Sequence, residues 1–154
     1  MTDARPLIAD VEQSEGRVAV EVRAESGRAT AVVERIRDPK LHRHIPIGTR
    51  DREHLRMMVD DVPVILRPGA GRWSRRSYRV VVEHDGRQYV YRPKTSESSR
   101  LTRDGFRVGD FTGTNPEWHG SPEPVDAAVG YALAAAFGSG AEFLLAAFLD
   151  NPAL

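Results

Sequence analysis

The chain has 154 residues, with 22 Lys and Arg against 22 Asp and Glu, and no Cys. This length suits one domain spanning residues 1–154 with a core of its own. The lack of Cys excludes disulfides, thiol catalysis and zinc–thiolate sites. Zero net charge gives no support for nucleic acid as a partner. The N-terminus lacks a basic-then-apolar signal pattern, so we expect a cytoplasmic location.

Short alternating segments separated by turns predict β hairpins over most of residues 1–112. A strand is expected near Pro6–Val11. Residues Arg17–Ala24 then alternate Val with charged side chains, Glu25-Ser26-Gly27 turns the chain, and Arg28–Ile36 returns as the second strand.

A short helix is predicted over Asp51–Val59. Thr49 or Asp51 can cap it, and its apolar residues, Leu55, Met58 and Val59, fall at helical spacing. Another short strand, Val62–Leu66, follows and ends at Pro68-Gly69.

The clearest hairpin covers Ser77–Pro93 and turns at Asp85-Gly86, a pair that suits a type I′ turn. This turn places Val82 opposite Tyr89 and Val80 opposite Tyr91, on the face that should look inward. The other face should carry the polar side chains, namely Arg79, Glu83, Gln88 and Arg92. A third hairpin turns at Asp104-Gly105, with apolar contributions from Leu101, Phe106, Val108 and Phe111.

Residues Val125–Leu149 are almost purely apolar, and their only charges are Asp126 and Glu142. Ser121 can cap a helix here, with Pro in its first turn. The apolar side chains contribute about −4 kcal/mol to membrane insertion, and Glu142 alone removes most of that. We therefore predict a buried core helix rather than a transmembrane tail. Gly138–Gly140 either breaks it into two helices or flexes one.

Serial hairpins followed by an apolar helix predict an α+β fold, in which antiparallel hairpins form a curled sheet or barrel around the hydrophobic C-terminal helix. The hairpins SYRVVVEHDGRQYVYRP and RLTRDGFRVGDF and the helix DAAVGYALAAAF carry a further likeness, which covers residues 77–149. In pattern and order the chain resembles the tubby-like/phospholipid-scramblase/LURP-one superfamily. The resemblance implies a barrel or half-barrel around a hydrophobic helix. Members are associated with phosphoinositide binding, membrane association or lipid scrambling, and the resemblance assigns no role to particular residues here.

Basic and aromatic residues alternate between residues 67 and 79, beside Tyr78. Such interleaving can contact phosphates or anionic headgroups. It also fits a solvated strand rim with snorkelling arginine stems. The candidate ligand-binding residues are Arg67, Arg72, Trp73, Arg75, Arg76 and Arg79.

Three histidines, His42, His44 and His54, form the best metal-like cluster in the sequence. Three imidazoles suit zinc, and an open fourth position would hold a catalytic water. Extra ligands could come from Asp38, Asp60 and Asp61. The alternative is a solvated loop that contains histidine, because the spacing matches no established zinc motif.

The favoured function is a non-enzymatic binding or interaction module that recognises an anionic ligand or lipid headgroup. Its expected partner is an anionic lipid at a membrane periphery or another protein, and no cofactor is expected. One alternative is a small metal-dependent enzyme that uses the three histidines. Another is an assembly subunit that forms homo-oligomers through its C-terminal helix.

Overall fold

Antiparallel strands follow one another in chain order across a strongly curled sheet, a half-barrel, with a helix packed against it. The structure is a computed structural model that describes residues 6–71 and 75–140, with the backbone alone at Arg75 and Arg76. Within these residues the strands are β1 (Ile8–Ser14), β2 (Arg17–Ala24), β3 (Gly27–Arg35), β4 (Leu55–Val59), β5 (Val62–Pro68), β6 (Val80–His84), β7 (Arg87–Pro93), β8 (Ser98–Arg103), β9 (Phe106–Thr112) and β10 (Asn115–Trp118). The helix is α1 (Pro124–Phe137). The predicted α+β fold class is therefore confirmed.

Tight turns set the register of several hairpins. Asp85 and Gly86 both have positive φ, at 49° and 74°, as a type I′ turn requires. The predicted pairing of Val82 with Tyr89 and of Val80 with Tyr91 is confirmed. Three other turns follow β2, β4 and β8, at residues 25–26, 60–61 and 104–105.

The predicted helix over Asp51–Val59 is wrong beyond its first turn. The Asp51 side chain does accept a hydrogen bond from the Glu53 N–H, but it caps only a 3-10 turn at Arg52–His54. The next five residues form β4 and point alternate side chains, Leu55, Met57 and Val59, into the core. Pairing with β3 and β5 decides in favour of the strand, because it satisfies the backbone on both sides.

Two features near the third hairpin also differ from the prediction. Phe106 directly follows the turn and is 75% exposed, so it does not join the core. Asn115–Trp118 forms the unpredicted strand β10, which pairs with β9 and brings Trp118 against the core. Its four residues and its proline give only a weak strand pattern.

Helix α1 fills the concave side of the sheet, and eleven of its 14 residues are buried. Its backbone lies closest to β2 and β3. Small side chains allow this approach, since α1 is rich in alanine and β3 contributes Ala29 and Ala31 to the core. On the other side of the core, larger side chains fill the wider gap, among them Tyr89, Tyr91 and Phe111.

The N-terminus of α1 is capped by Glu123 rather than by the predicted Ser121. Glu123 and Asp126 form a reciprocal capping box, in which each side chain binds the other residue's backbone N–H. Pro124 occupies the first turn, as predicted. An acidic pair at this end also interacts favourably with the helix dipole.

The C-terminus of α1 is held by groups from two strands and from the connection between β3 and β4. The carbonyl of Ala136 accepts the backbone N–H of Ile47, and the carbonyl of Gly138 accepts the Tyr91 hydroxyl at 2.8 Å. Gln13 binds the Ala135 carbonyl. The helix ends at Phe137, before the predicted break at Gly138–Gly140. The rest of the predicted apolar segment, residues 141–149, lies outside the described residues.

No helix among the described residues combines the length and the hydropathy that a membrane crossing requires.

Candidate functional site

The two ends of the half-barrel differ in their connections. Because the strands are antiparallel and in chain order, the turns after β2, β4, β6 and β8 lie together at one end. The longer connections, residues 36–54 and 69–79, lie together at the other end. We call this second end the loop end. It is also where α1 ends, since Ile47 in the first connection binds the Ala136 carbonyl. Long loops on a rigid scaffold are the usual place for binding residues.

Positive charge is concentrated at the loop end. Residues 36–54 contain five Lys or Arg and three Asp or Glu, and residues 67–79 contain five Arg and no acidic residue. We call these two segments together the loop face. The whole chain is neutral, so the loop face must be balanced by negative charge elsewhere. Such a separation attracts anions to one end of the molecule.

Arg50 joins the two segments of the loop face. Its Nε donates to the Gly69 carbonyl at 2.9 Å, and one of its terminal nitrogens donates to the Tyr78 carbonyl at 2.8 Å. The guanidinium also lies over the rings of Tyr78 and Phe137. A side chain on Gly71 would collide with Arg50, because its Cβ would lie 2.8 Å from the Arg50 Cδ.

Arg50 is a cation without a carboxylate neighbour. Among the described residues, no Asp or Glu oxygen lies within ion-pair distance of it, and its partners are carbonyls and aromatic rings. Burial lowers the pKa of Arg50 to about 10, an effect that Tyr78 only partly offsets. Arg50 is therefore still charged at neutral pH. Neither the sequence pattern nor the spacing singled it out, since it lies in an irregular connection.

The predicted Arg67–Arg79 cluster is only partly within the described residues. Arg67 donates to Glu83 at 2.6 Å, so its charge is already balanced. Arg79 is exposed, and its carbonyl accepts the Gly69 N–H. Arg75 and Arg76 begin a 3-10 turn, and nothing is described of their side chains. Arg72 and Trp73 lie outside the described residues. Anion binding by this cluster stays a prediction.

A second basic cluster, which the sequence did not reveal, surrounds Asp110 on β9. Asp110 is 8% exposed. Its carboxylate accepts hydrogen bonds from Lys94 at 2.8 Å, Arg100 at 2.9 Å and Arg107 at 2.9 Å. Burial alone would raise the pKa of Asp110. Hydrogen bonds from Arg100 and Lys94 and the nearby positive charges outweigh it and lower the pKa to about 2. Three cations thus share one carboxylate.

The three candidate histidines do not form a metal centre. The rings of His42 and His44 meet edge to face with centroids 5.8 Å apart, whereas His54 contacts Asp51 through Nδ1 at 2.9 Å. No group of three or more His, Asp or Glu side chains within the described part of the chain could hold a metal ion.

The proposed extra ligands Asp60 and Asp61 are also in the wrong place. They form the turn after β4, at the opposite end from the loop face, and Asp60 accepts the Thr30 N–H there. Their separation from the histidines follows from residues 51–59, which were predicted to form a helix. As a strand, this segment carries the chain across the sheet and separates the aspartates from the histidines.

Asp126 forms a buried polar network at the turn end. It accepts the Tyr89 hydroxyl at 2.6 Å and an Arg103 nitrogen at 2.8 Å, and Arg87 approaches at 3.4 Å. Burial and the hydrogen bond to Asp126 raise the pKa of Tyr89 above its ordinary value. The hydroxyl therefore stays protonated and donates. This network ties the start of α1 to the two Asp-Gly hairpins, and its carboxylate has no free face for a ligand.

No protein-family model, curated protein or solved structure gives a significant match to this chain. The fold and the geometry of the two basic regions therefore provide the basis for a functional proposal.

Proposed function

We propose that this chain is a non-enzymatic binding module whose loop face recognises the headgroups of anionic lipids at a membrane surface. The observation that carries the proposal is the charge of the loop face: ten basic and three acidic residues in two segments of a neutral chain. Each Lys or Arg close to an anionic leaflet contributes about 1 kcal/mol of attraction. Arg67 is paired with Glu83 and Arg50 is held inside the fold, so the attraction comes from the other basic residues of the loop face.

The position of Arg50 supports a role for the loop face as a unit. Its two hydrogen bonds reach the carbonyls of Gly69 and Tyr78, so the two connections are held together at these points. Leu41 adds an apolar contact, since it is 51% exposed beside Lys40 and Arg43. An exposed large apolar side chain among basic ones suits the headgroup boundary of a bilayer.

We also propose that the chain is a distant member of the tubby-like/phospholipid-scramblase/LURP-one superfamily. Support comes from the order of elements, a curled antiparallel sheet followed by one apolar helix, which is what the resemblance implies. The association of that superfamily with phosphoinositides and membranes favours the same class of ligand as the loop face.

The two alternative functions have less support. A metal-dependent enzyme would need a ligand set, and the histidines do not supply one with their described neighbours. Assembly through the C-terminal helix would need a free helix face, whereas α1, the part of that segment that the structure describes, is buried over most of its surface.

Vesicle flotation tests the proposal. The full chain should float with vesicles of phosphatidylcholine containing phosphatidylserine or a phosphoinositide, and not with phosphatidylcholine alone. Arg75→Glu with Arg76→Glu should abolish flotation, and added salt should weaken it, because exposed charges are screened. The matched control, Arg23→Glu with Arg28→Glu, makes the same charge change at the turn end and should leave flotation intact. Equal binding to neutral vesicles, or equal loss in the control, would contradict the proposal.

A further inference from the structure

Three arginines stand side by side on the convex face of the sheet. Arg92 on β7 is directly opposite Arg100 on β8. The pairing of β6 with β7 begins at Val80 opposite Tyr91, and Arg79 and Arg92 are the next residues beyond this pair on the two chain segments. The neighbours Val80, Tyr91 and Leu101 are buried on the concave side. The three arginines therefore share the outer face, and we call them the arginine row.

This arrangement is unfavourable without an anion. Neighbouring strands are about 4.8 Å apart, and like charges directly opposite each other on a sheet are destabilising. Arg100 has a counter-ion in Asp110. Within residues 6–71 and 75–140, by contrast, neither the Arg79 nor the Arg92 side chain has a hydrogen bond or an ion pair. Among the described residues, two of the three neighbouring positive charges thus have no counter-ion.

Asp110 fixes the side chain of Arg100 in place. One carboxylate oxygen accepts Nε of Arg100 at 2.9 Å, and the other accepts one terminal nitrogen at 3.4 Å. The second terminal nitrogen of Arg100 makes no hydrogen bond to the described residues and is available to a ligand. Arg107 binds the same carboxylate, so Arg100 shares the charge of Asp110 with a second arginine.

We propose that the arginine row binds a small ligand that carries two phosphate groups, with Asp110 as a positioning residue for Arg100. Guanidinium groups match phosphate oxygens in a fork-like geometry, and each phosphate relieves the repulsion between the two arginines that it touches. One phosphate bridges Arg79 and Arg92, and the other bridges Arg92 and Arg100. Two ladder steps give the row a width of about 10 Å, enough for two such groups.

The row overlaps the loop face at one residue, Arg79. It is built on strands β7 and β8 and on the residue before β6, and only Arg79 belongs to both regions. The proposal therefore does not depend on membrane binding, and it can hold or fail independently.

Calorimetric titration of the full chain with inorganic pyrophosphate, inorganic phosphate and sulfate tests the proposal. We expect saturable pyrophosphate binding that is about tenfold tighter than binding of either single anion, because more charged hydrogen bonds form. Arg92→Ala with Arg100→Ala should weaken pyrophosphate binding by about tenfold or more. The matched control, Arg23→Ala with Arg28→Ala, should bind as the unmodified chain does.

Asp110→Asn distinguishes the positioning of Arg100 by Asp110 from the effect of the Asp110 charge on anion binding. Loss of a negative charge alone would strengthen anion binding, whereas loss of the fixed Arg100 geometry should weaken it by about threefold. Stronger binding by this variant would overturn the positioning role. The site itself would be overturned by an absence of saturable pyrophosphate binding, by equal affinity for inorganic phosphate, or by an unchanged affinity in the Arg92–Arg100 variant. Arg75→Glu with Arg76→Glu tests the loop face, whereas Arg92→Ala with Arg100→Ala tests the arginine row. Neither variant changes Arg79, so the failure of one proposal can be told from that of the other.

Discussion

The guanidinium carbon of Arg50 lies 5.4 Å from the centroid of the Phe137 ring, which is the last residue of helix α1. The last turn of this helix contains no basic residue of its own. Arg50 therefore supplies, from a distant connection, the positive charge that favours a helix C-terminus. The same side chain joins the two segments of the loop face. Arg50 therefore contacts both the basic surface and the end of the buried helix.

Arg50→Ala should destabilise the fold by about 2 to 3 kcal/mol, because two carbonyls lose a charged donor in a partly buried place. Arg50→Lys should recover less than half of this loss, since one ammonium group does not reproduce the planar fork. Urea unfolding checks both values, provided that the slope of the transition stays constant. Arg28→Ala serves as the control: Arg28 is an exposed ion-pair partner, 64% exposed, and its loss should cost at most about 0.5 kcal/mol. An Arg50→Ala variant as stable as this control would contradict the role assigned to Arg50.

Asp110 should make stability depend on pH in the acid range. Its folded-state pKa of about 2 is below the ordinary value of 3.8. A depressed acid stabilises the fold above its unfolded pKa, and this contribution disappears as the pH falls from about 4 towards 2. Asp110→Asn should therefore cost about 1 to 2 kcal/mol at neutral pH, and the difference from the unmodified chain should shrink over that acid range.

The control for this pH profile is Asp85→Asn. Asp85 is exposed in a turn with positive φ, a conformation that Asn also tolerates. Its substitution should leave the profile parallel to that of the unmodified chain. A constant gap between Asp110→Asn and the unmodified chain at every pH would show that packing, and not the carboxylate charge, accounts for the loss.

Local turn chemistry explains why much of the sheet could be predicted. Asp85-Gly86 fixes its own hairpin register, and the prediction already placed Arg79 and Arg92 on one face. The pairing of Arg92 with Arg100 could not be predicted in the same way, because residues 94–97 have no turn pattern that sets a register. A register shift between Leu101 and Thr102 then brings Asp110 opposite Arg100. One such shift changes every cross-strand neighbour beyond it.

Long-range partners explain the other differences. Residues 51–59 fit a helix by the spacing of Leu55, Met58 and Val59, and a strand by the alternation of Leu55, Met57 and Val59. Only the presence of β3 and β5 on either side decides between the two. Arg50 lies in an irregular connection, so no periodic pattern points to its contacts with Gly69 and Tyr78. The contacts of Arg50 and the pairing of Arg92 with Arg100 were thus identified from the structure and not from the sequence pattern.

The buried Asp126 network should be essential for stability. Asp126→Asn removes the negative charge that Arg103 and Arg87 share. The amide oxygen of the new side chain can still accept the Tyr89 hydroxyl. Asp126 is buried, whereas its two arginine partners are about one-third exposed, so loss of the charge should cost about 2 to 3 kcal/mol. Glu123→Gln is the matched control, because its side chain is 53% exposed, and it should cost less than about 1 kcal/mol.

Thermal or urea unfolding distinguishes the two Asp126-network variants. A double-mutant cycle that combines Asp126→Asn with Tyr89→Phe should give a coupling energy above about 0.5 kcal/mol, since the two groups share a hydrogen bond. Additive effects would show that Tyr89 contributes through packing alone.

Gly130→Ala should destabilise the fold even though Gly130 lies inside helix α1. Replacement of a helical glycine by alanine usually stabilises by about 1 kcal/mol. Here, however, the new Cβ would lie 2.6 Å from Cζ of Phe111 and 3.1 Å from Cδ2 of Leu101. The Phe111 ring is fully buried and fixed by edge-to-face contacts with three other rings, Tyr91, Trp118 and Tyr131. Overpacking at such a site costs about 1 to 3 kcal/mol, which exceeds the gain in helix propensity.

Phe111→Leu replaces the ring with a smaller side chain, so Gly130→Ala should destabilise the fold less in that background than alone. A higher melting temperature for Gly130→Ala would show that α1 lies farther from β9 than the structure places it.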